Sequence, residues 1–435
     1  MGAPRQERSP PFAPTATQRA DAERIMARCD TLASISAMTE GVFRSYLTPE
    51  HARCNALVGR WMREAGLVSW QDAAGNVCGR LAAAGSGPRK TLLLASHLDT
   101  VRDAGRYDGI LGVLLAIEAL RRLRASGTAL PFHVDVVGFG DEEGARFGAT
   151  LLGSRAVAGS WEPQWFDLED ADGITLREAL IAFGCDPDGI GSASRADDDL
   201  LAYLEVHIEQ GPQLEDHRQP LAVVPSIAGA RRFRVRVRGK AGHAGTVPMA
   251  LRQDALVAAA SAVQAVERVA ARFEIVATVG ELRCSPGAPN VIPGDCEFSV
   301  DIRAGRDHTR DVAVRDLQAE IAEQVEARGL SVAWEETHRA PAVACASWLQ
   351  RLLEDAVLEL GLAPLSLVSG AGHDAMSLAP VTDVGMLFVR CAGGISHHPA
   401  EAVATADVAA ALAALDNALL ALRDREVQRD ACGAC

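Results

Sequence analysis

Basic side chains are the scarcer charged class in this 435-residue chain: 43 Lys and Arg stand against 57 Asp and Glu, a formal net charge of −14. A surface of that sign repels phosphate backbones and anionic headgroups, so nucleic acid and membrane surfaces are not expected partners. A run of about 18 apolar residues is also missing, and with it the usual signature of a membrane span. The opening MGAPRQERSPPFAPTATQ is polar, rich in proline and without the apolar stretch of a secretory signal. Residues 1–17 therefore read as a flexible arm, and the expected location is cytoplasmic. The ten cysteines follow no even framework of spacings. Cys29, Cys54, Cys78, Cys185, Cys284, Cys296, Cys345 and Cys391 read as separate small hydrophobes in a reducing compartment. The closing Cys432-x-x-Cys435 reads as a frayed tail more readily than as a redox or metal motif. Internal repeats are absent too.

What is present is an alternation of apolar runs with helical patterning, long enough for two or three domains. Apolar positions three and four apart in AERIMARCDTLASISAM and CNALVGRWMREAGL make residues 18–66 helical. KTLLLASH (90–97) then predicts a buried strand, GILGVLLAIEALRRLRAS (109–126) a helix and PFHVDVVGFG (131–140) another strand. That order implies an α/β sheet covered by helices, with ligands met at the carboxyl ends of its strands. Near residue 226 the pattern changes. RRFRVRVRG (231–239) alternates strictly, as a half-exposed antiparallel strand does, with Arg232, Arg234, Arg236 and Arg238 on one face. Helices at 253–272 and 307–328, with strands around 274–283, 295–303 and 330–336, suit a separate α+β domain. After HRAPAV the first rhythm returns in WLQRLLEDAVLELG and VGMLFVR, so the middle domain is inserted. The expected boundaries are 18–225, 226–338 and 339–435.

Histidine and carboxylate concentrate at the ends of predicted strands, in SHLDT with YDG, GDEEGARFG (140–148), EVHIEQGP (205–212) and GGISHHPAE (393–401). His97 and Asp99 are two residues apart, so Asp99 can hold one imidazole nitrogen while the other binds a metal. Asp108 opens a helix, where a carboxylate is favoured and can bridge two cations. Glu142 and Glu143 are adjacent and point differently, so one can bind metal while the other serves as general base. His207 and His397 could complete the shell. Each piece has a plainer reading. The His-x-Asp can be a structural hydrogen-bond pair, the Glu pair a solvated turn, and the His397–His398 loop mere surface. His207 sits in an alternating strand whose Glu205 and Glu209 would share an exposed face.

Taken together, SHLDTV…YDG, DEEGARF, EVHIEQGP, GKAGHAGTVPM, PGAPNVIPG, SGAGHDAM and GGISHHPAE resemble the amidohydrolases of the M20 metallopeptidase-like family over roughly residues 20–420. The resemblance is to the branch of allantoate amidohydrolase, N-carbamoyl-L-amino acid hydrolase and β-ureidopropionase. It implies a mixed sheet flanked by helices, as in the dimetal peptidases, with the inserted α+β domain acting as lid and dimerisation surface. It further implies two divalent ions per subunit, Mn²⁺ or Zn²⁺: one on His97, Asp108 and His207, the other on Asp108, Glu143 and His397. Glu142 would be the general base, and Asp99, orienting His97, is counted with it among the catalytic residues. Gln210, His243, Asn290, Arg303 and His373 would bind substrate, those of the inserted domain arriving on closure. One motif departs from the pattern: Ser396-His397-His398-Pro399 carries a second histidine where the family has Asn or Ser, which leaves His398 as a rival ligand.

The implied reaction is hydrolysis of a ureido C–N bond in a small carboxylate-bearing molecule, with ammonia and carbon dioxide released. Allantoate is the first candidate and N-carbamoyl-L-amino acids or N-carbamoyl-β-alanine the alternative. Arg303 would offer a fork to the substrate carboxylate. Without the resemblance it reads as an arginine ending a strand, and Asn290 as a turn residue. A dipeptidase or aminoacylase is a more distant reading, and a metal-free binding protein on the same scaffold belongs to another class.

Overall fold

The structure, a computed structural model, describes residues 12–85 and 89–433, the last four as helix backbone only. Residues 1–11 of the expected arm, and the side chains of Cys432 and Cys435, lie outside the described residues. The first helix, Ala16–Ala33, starts inside the span read as arm. Thr15 accounts for that start: its hydroxyl accepts the Gln18 N–H while Gln18 Oε1 accepts the Thr15 N–H, a reciprocal cap. The chain forms two compact units, Met1–Pro225 with Cys345–Leu367 and His373–Cys435, and Ser226–Ala344 with Val368–Gly372. The second runs past residue 338 because the strand Ser331–Ala340 stays paired with Gly229–Arg238 as far as Ala340. Val343–Ala344 then pairs with Ser226–Ile227, and Ile227 bridges to Ser369.

The first unit is built on a seven-stranded mixed sheet. Four parallel strands form its middle, in the order His133–Phe139, Thr91–His97, Leu200–Ile208 and Val384–Val389. Antiparallel strands close both sides: Val77–Leu81 and Val68–Gln71 on one, Leu221–Val224 on the other. The Val68–Gln71/Val77–Leu81 hairpin is not evident in the periodicity. Its turn is set by Asp72, whose Oδ1 accepts the N–H groups of Ala74 and Asn76. One core joins Leu92, Leu94, Val134, Val136, Leu204 and Val206 of the sheet to the helices Ala16–Ala33, Pro49–Glu64, Ile110–Ala125, Ser347–Leu358 and Thr405–Gly433. Ile110–Ala125 is buried nearly all round, which is why its sequence is apolar on every face. Thr405–Gly433 is long and apolar enough, over Thr405–Arg429, to cross a membrane by length and composition. A search for uninterrupted apolar runs misses it because Asp407, Asp416 and Asn417 break the run. In this structure 67% of that apolar window is buried within the protein.

The second unit is an antiparallel sheet ordered Val276–Thr278, Asp295–Ala304, Gly229–Arg238 and Ser331–Ala340, with Leu282–Ser285 also paired to Asp295–Ala304. Helices Ala255–Phe273 and Asp307–Glu326 cover Phe233, Val235 and Val237 on one face. On the other face the arginines meet cross-strand carboxylates: Arg232 to Asp301 and Arg236 to Asp295 at 2.8 Å, Arg234 to Glu335 at 2.9 Å. The alternation is thus satisfied within the sheet itself.

Close packing of the Ile110–Ala125 helix on the sheet yields a test. A Cβ built on Gly112 would lie 2.1 Å from the carbonyl oxygen of Val206 and 3.0 Å from Ser96 Cβ. Gly112→Ala is expected to lower stability by about 1–3 kcal/mol despite its better helix propensity. A lower midpoint in urea unfolding is the readout.

Candidate active site

Parallel pairing turns the carboxyl ends of the four central strands to one edge, and the polar motifs follow those ends. His97 closes its strand, Glu142 and Glu143 follow Phe139, His207 sits next to the end of Leu200–Ile208, and His397 comes after Val389. Gly109, the residue before the Ile110–Ala125 helix, has φ +71° and faces the His97 ring. A Cβ there would stand 2.4 Å from His97 Nε2, so only glycine lets Asp108 and the imidazole approach.

Asp108 is the hub. Its Oδ1 lies 3.1 Å from His207 Nε2 and 3.4 Å from His97 Nε2, and those two nitrogens are 3.4 Å apart. Its Oδ2 is 3.3 Å from His397 Nε2, which is 3.4 Å from Glu143 Oε1. The Nδ1 atoms of His97 and His207 are occupied. His97 Nδ1 is 3.0 Å from the Asp99 carbonyl oxygen and His207 Nδ1 is 2.8 Å from that of Ile208. Donation there leaves each Nε2 with a lone pair aimed at the hub. His398 takes no part in this cluster; its Nδ1 accepts the Ala400 N–H in the local turn.

Asp99 acts differently from the expectation. Its carboxylate is 3.7 Å from His97 Nδ1, and it is the backbone carbonyl that holds the ring. The carboxylate oxygens instead accept the N–H groups of Glu142 at 3.1 Å and Glu143 at 3.2 Å, fixing the turn that presents both glutamates. Burial first, and then the neighbouring Glu143, Asp374 and Asp99, hold the Glu142 carboxyl well above the ordinary carboxylate range against the pull of His97. Burial likewise pushes Glu143 up to about 7. Asp108 goes the other way: burial is outweighed by the three surrounding imidazoles, which hold it well below its usual range. His373 is fully enclosed, and burial first, then the neighbouring His207, pushes its pKa well below the usual imidazole range.

Several participants carry no signal in the sequence patterns. Glu205, expected on an exposed face, is 1% exposed and accepts hydrogen bonds from Ser96 Oγ and Tyr203 Oη, both at 2.9 Å. The face is covered because its strand is central to the sheet. Ser396 donates to Asp108 Oδ2 at 2.6 Å. Glu401 accepts the backbone N–H groups of Tyr107 at 2.7 Å and Asp108 at 3.2 Å through Oε1, and its Oε2 lies 3.1 Å from the Ser396 hydroxyl oxygen. One carboxylate thereby joins the Asp108 loop to the His397 loop. Gln210 Nε2 donates to Asp108 Oδ2 at 2.8 Å. Asp141, Gln210 and His397 all have positive φ, at 65°, 57° and 54°, the kind of backbone strain that gathers at working sites.

The remaining expected residues lie in the second unit. His243 pairs with Val291 across two short strands, and the Ala244 N–H donates to the Asn290 carbonyl at 3.0 Å, so His243 and Asn290 are neighbours. Both are exposed. Arg303 is engaged at one edge by Asp301, Nε and Nη2 each at 3.0 Å, and Nη1 donates to the Gly370 carbonyl at 2.8 Å. One N–H on each terminal nitrogen is left over by that count.

The donor set of the first unit fits cations. Asp108 Oδ1 is buried with no hydrogen bond, although two imidazole nitrogens converge on it. His97, Asp108 and His207 form one group whose ligand atoms lie within 4.8 Å of one another, and Asp108, Glu143 and His397 form a second. Mixed imidazole and carboxylate donors suit a borderline divalent metal.

Comparison with known proteins agrees with this geometry. Residues 93–421 match peptidase family M20/M25/M40. The chain is 40% identical over 429 residues to a probable allantoate deiminase of rice, Oryza sativa subsp. japonica, covering 91% of this chain and 87% of that one. It is 39% identical over 386 residues to an N-carbamoyl-L-amino-acid amidohydrolase of Pseudomonas sp. strain NS671, covering 87% and 93%. The crystal structure of an amidase of the hydantoinase/carbamoylase family from Burkholderia multivorans superposes with a TM-score of 0.87 at 33% identity, covering 92% and 98%.

Glu401 offers a test of how the hub is held. Glu401→Ala is expected to weaken binding of a divalent ion by roughly 10–100-fold while leaving the fold intact. Competition with a chromophoric chelator measures the first and circular dichroism the second.

Proposed function

We propose that this chain, which belongs to peptidase family M20/M25/M40, hydrolyses the ureido C–N bond of a small carboxylate-bearing substrate, allantoate before N-carbamoyl-L-amino acids or N-carbamoyl-β-alanine. The observation that carries the reading is the buried Asp108 carboxylate, unpartnered at Oδ1 and ringed by the Nε2 atoms of His97, His207 and His397. The relatives named for allantoate and for N-carbamoyl amino acids supply the substrate class.

A ureido carbon is a weak electrophile because both nitrogens donate into its carbonyl. When bound, divalent cations polarise such an oxygen and bring the pKa of water toward about 7. Two ions, Mn²⁺ or Zn²⁺, would be held by His97, Asp108 and His207 and by Asp108, Glu143 and His397. Glu142 takes the proton of the attacking water and returns it to the leaving nitrogen. Burial holds its carboxyl above the ordinary range, which makes its carboxylate a stronger base. Gln210 and His373 line the substrate's place in the first unit, and His243, Asn290 and Arg303 are the second unit's binding groups. Arg303 can meet a carboxylate through its two free N–H groups or by exchanging Asp301 for it.

The protein acts in the cytoplasm as a homodimer formed through the inserted unit. That unit exposes Met249, Leu251 and Val276 at 76%, 73% and 63%, an apolar surface a second copy could cover.

Purified protein is stripped with chelator, reloaded with Mn²⁺ or Zn²⁺ and offered allantoate, both carbamoyl classes and dipeptides. Metal-dependent ammonia release is expected with allantoate foremost, and activity on dipeptides alone would remove the ureido reading. Glu142→Gln should lower kcat by about 10²–10⁴-fold with little change in metal content, measured by elemental analysis alongside the kinetics.

A further inference from the structure

Two of the scattered cysteines meet in the folded second unit. Cys284 on the strand Leu282–Ser285 stands directly opposite Cys296 on Asp295–Ala304. In the same register the Ser299 N–H donates to the Glu281 carbonyl at 3.0 Å. Hydrogen-bonded and non-hydrogen-bonded pairs alternate along an antiparallel ladder, so Cys284 and Cys296 occupy a non-hydrogen-bonded pair. There the Cα atoms stand about 4.5 Å apart, inside the range a disulfide spans. After burial, Cys284 is the neighbour that most raises the pKa of the Cys296 thiol. Cys284 is half-buried and Cys296 wholly buried, and both are free thiols.

We propose that Cys284 and Cys296 form a reversible cross-strand disulfide, a thiol-oxidation site distinct from the metal-binding cluster. A low-molecular-weight disulfide is the oxidant. The Cys284 thiolate attacks it, forming a mixed disulfide and expelling one thiolate. Cys296 then attacks Cys284 Sγ, closing the intramolecular bond and expelling the second thiolate. Two protein thiols are oxidised, one small disulfide is reduced to two thiols, and the two protein protons go to those products.

The bond would brace a particular segment. Residues 285–295 lie between the cysteines and include Asn290 and Val291–Ile292, whose partner strand is Gly242–His243. Closing so short a loop restricts its excursions. The thiol chemistry stands apart from the ureido reading; only the bearing on Asn290 and His243 as substrate groups rests on it.

The full chain is equilibrated across ratios of oxidised to reduced glutathione, capped with an alkylating agent and mapped by mass spectrometry without reduction. A peptide joining Cys284 to Cys296, short of two hydrogens and restored by reductant, is expected. Cys296→Ser should instead retain a glutathione adduct on Cys284, and Cys284→Ser should give neither species. Oxidation should slow amide exchange in residues 285–295 of the wild type and not of Cys284→Ser. Alkylation of both cysteines at every ratio, or a stable glutathione adduct on Cys284 of the wild type, would overturn the proposal. Because Cys284 is half-buried, its variant keeps the test informative should the buried Cys296→Ser fail to fold.

Discussion

Charge that cannot reach water is the constraint on which the first unit is arranged. Asp108 is 4% exposed, and Asp99, Asp141, Glu205 and Asp374 are each 1% exposed or less. Removing a carboxylate from water costs several kcal/mol unless partners replace its hydration. Among the described residues, the neighbours of Asp108 that ion pairing would draw on are three imidazoles rather than an arginine or lysine. Backbone N–H groups and hydroxyls take up Asp99, Glu205 and Glu401, while Asp108 Oδ1 keeps no hydrogen bond. A set of this kind fits divalent cations, and the surrounding loops hold it in place.

That holding extends outward from the ligands. Arg44 is wholly buried and donates to the carbonyls of Leu98 and Leu32 at 2.8 Å and of Ile35 at 3.0 Å. Its backbone N–H reaches Thr100 Oγ1 at 2.9 Å, so the segment carrying Asp99 is fixed on both flanks. Glu401 performs the same service between the Asp108 and His397 loops. Groups that must stay within a fraction of an ångström are therefore set by backbone hydrogen bonds to long-range partners, a more rigid arrangement than loops alone could supply.

The chemistry follows from this rigidity. A family of peptidases and amidohydrolases can share one cation-binding edge because the carbonyl being attacked is common to peptides and ureides. In the proposed reading, discrimination falls to residues outside the cation-binding cluster. His243, Asn290 and Arg303 sit on strands and turns of the second unit, where Arg303 already holds a carboxylate, that of Asp301. A guanidinium poised against one carboxylate is suited in kind to another.

Much of this arrangement is legible in the sequence. The buried strands at 90–97 and 131–140, the amphipathic strand at 231–239 and the fact that the first domain resumes after the inserted one are written in local periodicity, because burial on one or both faces of a sheet acts on neighbouring residues. The return itself comes at Cys345 and not at 339. The histidine and carboxylate motifs were legible as motifs, since strand ends in a parallel sheet share an edge. What the sequence could not settle was decided by residues far apart in it. Asp99 grips Glu142 and Glu143 by their backbone, Glu205 is buried because its strand lies mid-sheet, and Glu401 ties residues 107 and 108 to 396. His397 was distinguished from His398 by a left-handed backbone turn that aims one ring at Asp108 and the other at its own loop. Sequence by itself determined which residue types were available at the strand ends; tertiary structure decided their partners, because a hydrogen bond is fixed by distance in space and not by separation along the chain.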